Sequence, residues 1–257
     1  MKVLFRKSLA EKEEFDAAAK FFDVVESRLD CNTLTIPRYS SLPYYNELEK
    51  DVHRLGGTLI NSYEQHKWIA NFDWYTPLRQ FTFDTWDSTT IYRAPQDIRY
   101  VVKGKTNSRK WQWNTKMFAR NRDEAVKIGA ELYSDGLIGY QGIIYRRYEP
   151  LKTIEEGING LPFSNEYRFF YYKDRLIASS FYWSIADQPL DKVPKDATDF
   201  ANKIAKVASN YTNFFVLDVA ERECGGWVLV EVNCGTMSGL SLINEGEFYA
   251  NLKLVLS

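Results

Sequence analysis

Asn213-Phe-Phe-Val-Leu-Asp218-Val-Ala-Glu-Arg-Glu-Cys-Gly225-Gly226-Trp-Val-Leu-Val-Glu231-Val-Asn233 is the stretch on which the fold turns. Two apolar runs, 214–219 and 227–232, flank a polar turn containing Gly225-Gly226, the pattern of a β-hairpin. Each run carries one acid where an apolar residue is expected, Asp218 and Glu231, and Asn233 follows two positions later. Strand side chains alternate, so Glu231 and Asn233 share a face, and pairing about the turn brings Asp218 beside them. Two carboxylates and an amide oxygen converging there would make a hard-cation site, suited to Mg²⁺ on a nucleotide's phosphates. The alternative is a hairpin edge with solvated acids. Carboxylates inside apolar strands are costly to bury without counter-charge, which favours the cation.

Working outward, a chain of 257 residues is long enough for one large domain or two lobes. A net charge of −1 gives no support for bulk attraction to nucleic acid or to an anionic membrane. Cys31, Cys224 and Cys234 show neither zinc spacing nor a disulfide framework, so a reduced, cytoplasmic setting is expected. No apolar run is long enough to span a bilayer, and the first residues are too brief and too charged for a signal peptide.

The first third reads as alternating strands and helices. Strands are expected over 2–5, 33–37 and 58–60, with a helix over 9–25, a second ending at Leu55-Gly56-Gly57, and a third opening at Ser62. That alternation argues for a small, mostly parallel α/β lobe, residues 1–78. The pattern then changes. Strands are expected over 81–86, 99–104, 141–148, 166–172 and 176–183, with helices over 122–135 and 196–210 and a short last element over 245–254. In the lobe, Arg38, Tyr39, Ser40, Asn61, Ser62, Gln65 and His66 follow apolar strands, where α/β sheets bind ligands; they are expected to face a cleft and read a substrate. The alternative is that His66 and Trp68 simply pack a helix onto the sheet.

Lys103 ends a β-branched run before a glycine, so its ammonium can project from a strand end into a cleft. Thr106-Asn107-Ser108-Arg109-Lys110 then offers hydroxyls, an amide and two cations in a loop able to fold over polyphosphate. The glycine spacing of a P-loop is missing, and a solvated hairpin tip is the plainer alternative.

Taken in order, Lys103-Gly, Tyr145-Arg146-Arg147-Tyr148-Glu-Pro-Leu151, Asn165-Glu166-Tyr167-Arg168-Phe169-Phe170, Asp218 and Glu231-Val-Asn233 resemble the motifs of an ATP-grasp domain. More narrowly, the chain resembles the clade named for one arginine and two lysines, most of all its phage and bacterial members. A eukaryotic cell-division-cycle assembly factor for translation initiation is a more distant relative. The resemblance implies two α+β subdomains clasping ATP over residues 79–257, preceded by the α/β lobe. It implies that Lys103 serves the adenine and α-phosphate side, with Lys110 or Lys105, beside Ser108, as the second lysine. Arg168 would reach the γ-phosphate or an acyl-phosphate, or else pair with Glu166. Asp218, Glu231 and Asn233 would be Mg²⁺ ligands. Residues 145–151, with Arg147 and Tyr148, would form the adenine hinge, with the role of Arg147 open. Thr236 and Ser238, in the small-residue turn after Asn233, would line the acceptor site.

Such enzymes join a carboxylate to an amine through an acyl-phosphate, and need no side-chain nucleophile. The resemblance therefore implies an ATP- and Mg²⁺-dependent ligase acting on a small molecule, a peptide or a protein tail. The alternative is an ATP-binding assembly or chaperone-like protein without turnover. A nucleic-acid ligase fits less well, since no Lys-x-Asp-Gly motif is present.

Overall fold

The computed structural model describes residues 1–6, 11–136 and 138–257. Its first part contains β1 (Lys2–Leu4), α1 (Lys12–Ala19), β2 (Asp23–Val25), β3 (Leu34–Pro37), α2 (Tyr45–Arg54), β4 (Thr58–Leu59) and α3 (Tyr63–Ala70). The four strands are parallel in the order β2-β1-β3-β4, the α/β lobe expected. The single helix expected over 9–25 is corrected. The described helix ends at Ala19, and Asp23–Val25, with its β-branched Val24-Val25 pair, extends beside β1. Leu9 and Ala10 of that expected helix lie outside the described residues. Tyr45, Leu48 and Val52 give α2 one buried stripe, and Gly56, at φ +82°, takes the left-handed conformation that ends it. α3 opens with a capping box: Ser62 Oγ accepts from Gln65 N (3.2 Å), and Gln65 Oε1 accepts from Ser62 N (3.0 Å).

A short α4 (Tyr75–Leu78) leads into β5 (Thr85–Asp87), β6 (Tyr100–Gly104), β7 (Phe118–Ala119), α5 (Arg122–Tyr133) and β8 (Ile143–Arg147). These strands form an antiparallel sheet in the order β5-β8-β6-β7. The strand expected over 81–86 is shortened, because a 3₁₀ turn at Arg79–Phe81 precedes it. The predicted stripe of α5, Ala125, Ile128, Gly129 and Leu132, is buried. It packs on the face carrying Tyr100, Val102, Ile143 and Tyr145, which leaves Val101, Lys103, Ile144 and Arg146 on the opposite face.

A hairpin not anticipated from sequence follows, β9 (Thr153–Glu156) with β10 (Pro162–Ser164). Then come β11 (Glu166–Tyr172), β12 (Arg175–Phe181), α6 (Lys195–Ala208), β13 (Phe214–Glu221), β14 (Trp227–Cys234) and the helix α7 (Glu245–Leu256). The predicted acidic hairpin is β13–β14, and the antiparallel sheet runs β12-β11-β13-β14. One face, with Tyr167, Phe169, Phe215 and Leu217, packs on α6. The other is divided. Its Phe170, Phe214 and Val216 join Phe248 and Leu252 of α7 and Val3 and Ile36 of the first lobe in one core. The remainder of that face carries charged side chains and borders a cleft. Among the described residues no helix is long and apolar enough to cross a membrane.

Two substitutions test this packing. A Cβ at Gly129 would lie 2.1 Å from the hydroxyl of buried Tyr145. Gly129→Ala should therefore destabilise by about 1–3 kcal/mol despite alanine's better helix propensity; a melt showing a gain would refute the packing. Burial holds His66, stacked 4.2 Å from Tyr45, at about 4, below its usual 6.5. Its folded pKa is depressed, so the neutral imidazole's contribution is complete above 6.5 and is lost as pH falls through 4. Between pH 7 and 4 the native chain should lose roughly 3 kcal/mol more stability than His66→Phe. Equal losses in urea melts at the two pH values would contradict it.

Candidate active site

The acidic hairpin contributes to a row of charged side chains crossing three strands. Arg168 on β11 stands opposite Asp218 on β13, and Asp218 stands opposite Glu231 on β14. Beyond that pair the register shifts, with Val219 opposite Leu229, so Val230 is the extra residue of a β-bulge. The bulge turns both Val230 and Glu231 toward the cleft, while Leu229 and Val232 stay in the core. Arg168 grips Asp218 with two bonds, Nε to Oδ1 at 2.8 Å and Nη2 to Oδ2 at 2.9 Å, and Nη1 donates to the Gly239 carbonyl at 2.9 Å. Its partner is thus Asp218, not Glu166. Asn233 Nδ2 donates to Asp218 Oδ2 (3.0 Å) and Glu231 Oε2 (3.2 Å), tying together the three residues expected to converge.

Lys103 reaches across from the other sheet and pairs with Glu231 Oε1. Burial alone would raise the Glu231 pKa; Lys103, Lys110 and Asn233 together outweigh it and hold the carboxyl below its usual range. Lys110 starts a 3₁₀ turn, Lys110–Gln112, that runs into a π-helical turn, Trp113–Met117. Its ammonium bonds the Tyr182 hydroxyl and lies 4.4 Å and 5.0 Å from the ring centres of Tyr182 and Trp183. Burial opposes its charge, but Tyr182 and Glu166 hold its pKa above the usual lysine value. Arg109 turns away, Nε donating to Asp135 at 2.8 Å, and Lys105 lines neither cavity of the cleft. Lys110 is therefore the loop lysine that the structure brings to Lys103 and Arg168.

Two residues here were not picked out from sequence. Glu166 is buried and accepts a bond from Ser164 Oγ at 2.9 Å; burial pushes its pKa up to about 7, against the pull of Lys110. Strand alternation with Arg168 was the available signal. Arg146 is the second. It faces the cleft, whereas Arg147 is largely exposed, 3.6 Å from Asp84. Arg146 Nη2 donates to Thr82 Oγ1 (2.6 Å) and Nη1 to the Val230 carbonyl, and the guanidinium lies 4.8 Å from the Phe83 ring centre. Among the described residues its buried Nε has no hydrogen-bond partner. Burial lowers its pKa to about 10, with Glu231 opposing.

The cleft has two connected parts. The inner cavity, about 130 Å³, has apolar walls that include Phe83, Val101, Trp113, Met117 and Leu151, and charged edges at Lys103, Lys110 and Glu231. The expected hinge residues Arg147 and Tyr148 border it. The outer cavity, about 370 Å³, shares Ser108, Lys110, Leu161 and Trp183 with the inner one and adds Arg168 and Tyr182.

The residues expected to read a substrate are held by contacts within the chain. None of Arg38, Tyr39, Ser40, Asn61, Ser62, His66, Thr236 or Ser238 lines either cavity. Arg38 donates to Glu14 (2.8 Å) and to the Gly235 carbonyl (2.6 Å). Asn61 Nδ2 donates to the Phe214 carbonyl (2.7 Å) while its Oδ1 accepts from Phe214 N (2.8 Å), satisfying buried peptide groups where β13 begins. Ser62 and Gln65 cap α3, and Gln65 also accepts from Asn213 Nδ2 (3.1 Å). Tyr39 is half-buried and Ser40 exposed. Thr236 Oγ1 shares a 3.0 Å hydrogen bond with Cys234 Sγ, and Ser238 Oγ donates to the Cys234 carbonyl (2.9 Å). Asn61, Gln65 and Arg38 form a seam between the first lobe and the last sheet and the turn that follows it.

Comparison with solved structures agrees with this architecture. The chain is similar to a RimK-domain ATP-grasp protein from Sphaerobacter thermophilus (TM-score 0.61, 13% identity, 98% of this chain and 99% of that one). It is also similar to D-alanine–D-alanine ligase from Bacillus anthracis, solved with ATP (TM-score 0.58, 11% identity, 99% and 96%). A third is the macrocyclase MdnC bound with precursor peptide MdnA, from Microcystis aeruginosa (TM-score 0.56, 12% identity, 100% of both chains). At these identities the likeness shows the ATP-grasp fold alone. No curated protein sequence matches the chain. Residues 92–252 match the ATP-grasp domain of R2K clade family 3, and the chain belongs to that family.

Proposed function

We propose that the protein is an ATP- and Mg²⁺-dependent ligase that joins a carboxylate to an amine through an acyl-phosphate. The observation that carries this reading is the meeting of Lys103, Lys110 and Arg168 with Asp218 and Glu231 around one cleft with an apolar inner end. The inner cavity's apolar walls suit a nucleobase. Lys103, Lys110 and Arg146 lie where they would meet the phosphates, and Arg146 brings a buried guanidinium with an unpartnered Nε. Arg168, at the outer cavity, would orient the group that receives the γ-phosphoryl.

The donor set fits a hard cation. Asp218 and Glu231 supply two carboxylates on adjacent strands, and the Asn233 amide, rotated to present Oδ1, would add a third oxygen. Mg²⁺ held there would offset charge on the phosphate oxygens. Similar solved structures agree in kind: one is a ligase with ATP, and another, PsnB, is an ATP-grasp ligase with a precursor variant, Mg and ADP. A protein that binds ATP without turnover is the competing outcome of the experiments below.

Asp218→Asn with Glu231→Gln should weaken Mg–ATP binding at least about ten-fold, roughly 1.4 kcal/mol, measured at a temperature where the variant's circular-dichroism spectrum is native despite the stability lost with its two buried ion pairs. Unchanged calorimetric affinity would remove the metal assignment. Lys110→Ala should have a comparable effect, and Lys105→Ala little. Glu166 adds a pH dependence. Its carboxyl, neutral below about 7, becomes an anion beside bound polyphosphate above it, so affinity should fall from pH 6 to 8. Glu166→Gln should flatten that fall; parallel profiles for the two proteins would exclude Glu166 from the phosphate site.

A further inference from the structure

The outer cavity differs chemically from the inner one. Its charged walls are Lys110 and Arg168, and among the described residues no aspartate or glutamate lines it. Asp218, the nearest acid in the row, is buried behind Arg168 and held by both arms of its guanidinium. At the mouth stand Trp111 and Ile185, each more than half exposed, with Leu161 and Trp183 deeper in. Large apolar side chains left in water at the mouth of a cationic cavity are a surface without a protein partner in this chain.

On the ligase reading, and deepening it, we propose that the outer cavity takes a carboxylate attached to an apolar body and bearing no free ammonium beside it. The carboxylate would lie toward Arg168 and Lys110, and the apolar body against Trp111, Ile185 and Trp183. A free α-amino acid is disfavoured by the same walls. Its ammonium would enter a cavity with two cations and no acid, adding repulsion and an unpaired polar group to the cost of leaving water. An N-acylated amino acid, the C-terminus of a peptide and a plain aliphatic or aromatic acid all share the favoured chemistry. In the reaction, a carboxylate oxygen forms a bond to the γ-phosphorus while the bond from that phosphorus to the ADP oxygen breaks. An amine then displaces inorganic phosphate from the acyl-phosphate and gives up one proton.

The test is calorimetric titration of the full chain, first with Mg²⁺ and a non-hydrolysable ATP analogue, then with carboxylates into the loaded protein. N-acetyl-leucine and 4-methylpentanoate should bind at least about ten-fold tighter than free leucine, and N-acetyl-aspartate should bind weakly. An N-acetylated dipeptide ending in leucine separates a peptide terminus from a small acid, since only a peptide site would prefer it. Ile185→Asp, which places an acid at the mouth, should narrow the gap between free and acetylated leucine about ten-fold. Free leucine binding as well as its acetyl derivative, or neither binding to the loaded protein, would overturn the proposal. Absence of nucleotide binding in the first titration would instead bring down the ligase reading, and this inference with it.

Discussion

An ionised carboxylate at the centre of a packed sheet needs a counter-charge, and the Asp218–Arg168 pair supplies it. Asp218 is 1% exposed, and Arg168 meets both of its oxygens in fork geometry. Removal of either partner would leave a buried charge uncompensated, a loss of about 3–5 kcal/mol in comparable pairs. The pair is consistent with only one neighbour relation, β11 beside β13 with Arg168 in register with Asp218. Glu231 depends on the same logic at longer range. Its counter-charge comes from Lys103 on the other antiparallel sheet, so that ion pair also joins the two sheets across the cleft.

The last sheet has to serve two surroundings on one face. Toward one end, Phe170, Phe214 and Val216 are covered by α7 and the first lobe. Toward the other, Arg168, Asp218 and Glu231 form the charged row beside the cleft, with Asp218 buried behind Arg168. The first lobe therefore limits the cleft without lining it. Its connection to the sheet runs through Asn61, which satisfies both peptide groups of Phe214, and Arg38, which reaches the Gly235 carbonyl. These side chains are polar because they meet buried backbone groups at the ends of strands.

The acidic hairpin was legible because its acids interrupt two apolar runs at positions that share a face, and two-residue periodicity carries that information. The α5 stripe was legible for the same reason at helical period. The bulge at Val230 was not, since an extra residue changes which side chains face the cleft without changing composition. Arg146 was not singled out because strand register is set by a partner: only the pairing of Val101 with Arg146 and Lys103 with Ile144 shows which arginine shares a face with Lys103. The choice between Lys105 and Lys110 lies in a loop without periodicity. The expectation for the first lobe rested on a rule about strand ends, and sequence alone did not show that Arg38 and Asn61 meet the chain's own C-terminal sheet and the turn after it.

The charged side chains around the cleft are balanced among themselves, and this constrains how a ligand would enter. Lys103 and Arg168 are already paired with Glu231 and Asp218, and Lys110 rests on the Tyr182 hydroxyl and two aromatic faces. A polyphosphate alone would compete with the carboxylates for those cations and leave the acids buried without partners. A divalent cation alone would displace the lysine and arginine from the acids and leave them unpaired. On the proposed reading, the two arriving together allow an exchange in which every charge keeps a partner: acids to the metal, cations to phosphate. On that reading the site would favour the metal–nucleotide complex over either component, because Asp218 and Glu231 are paired within the chain.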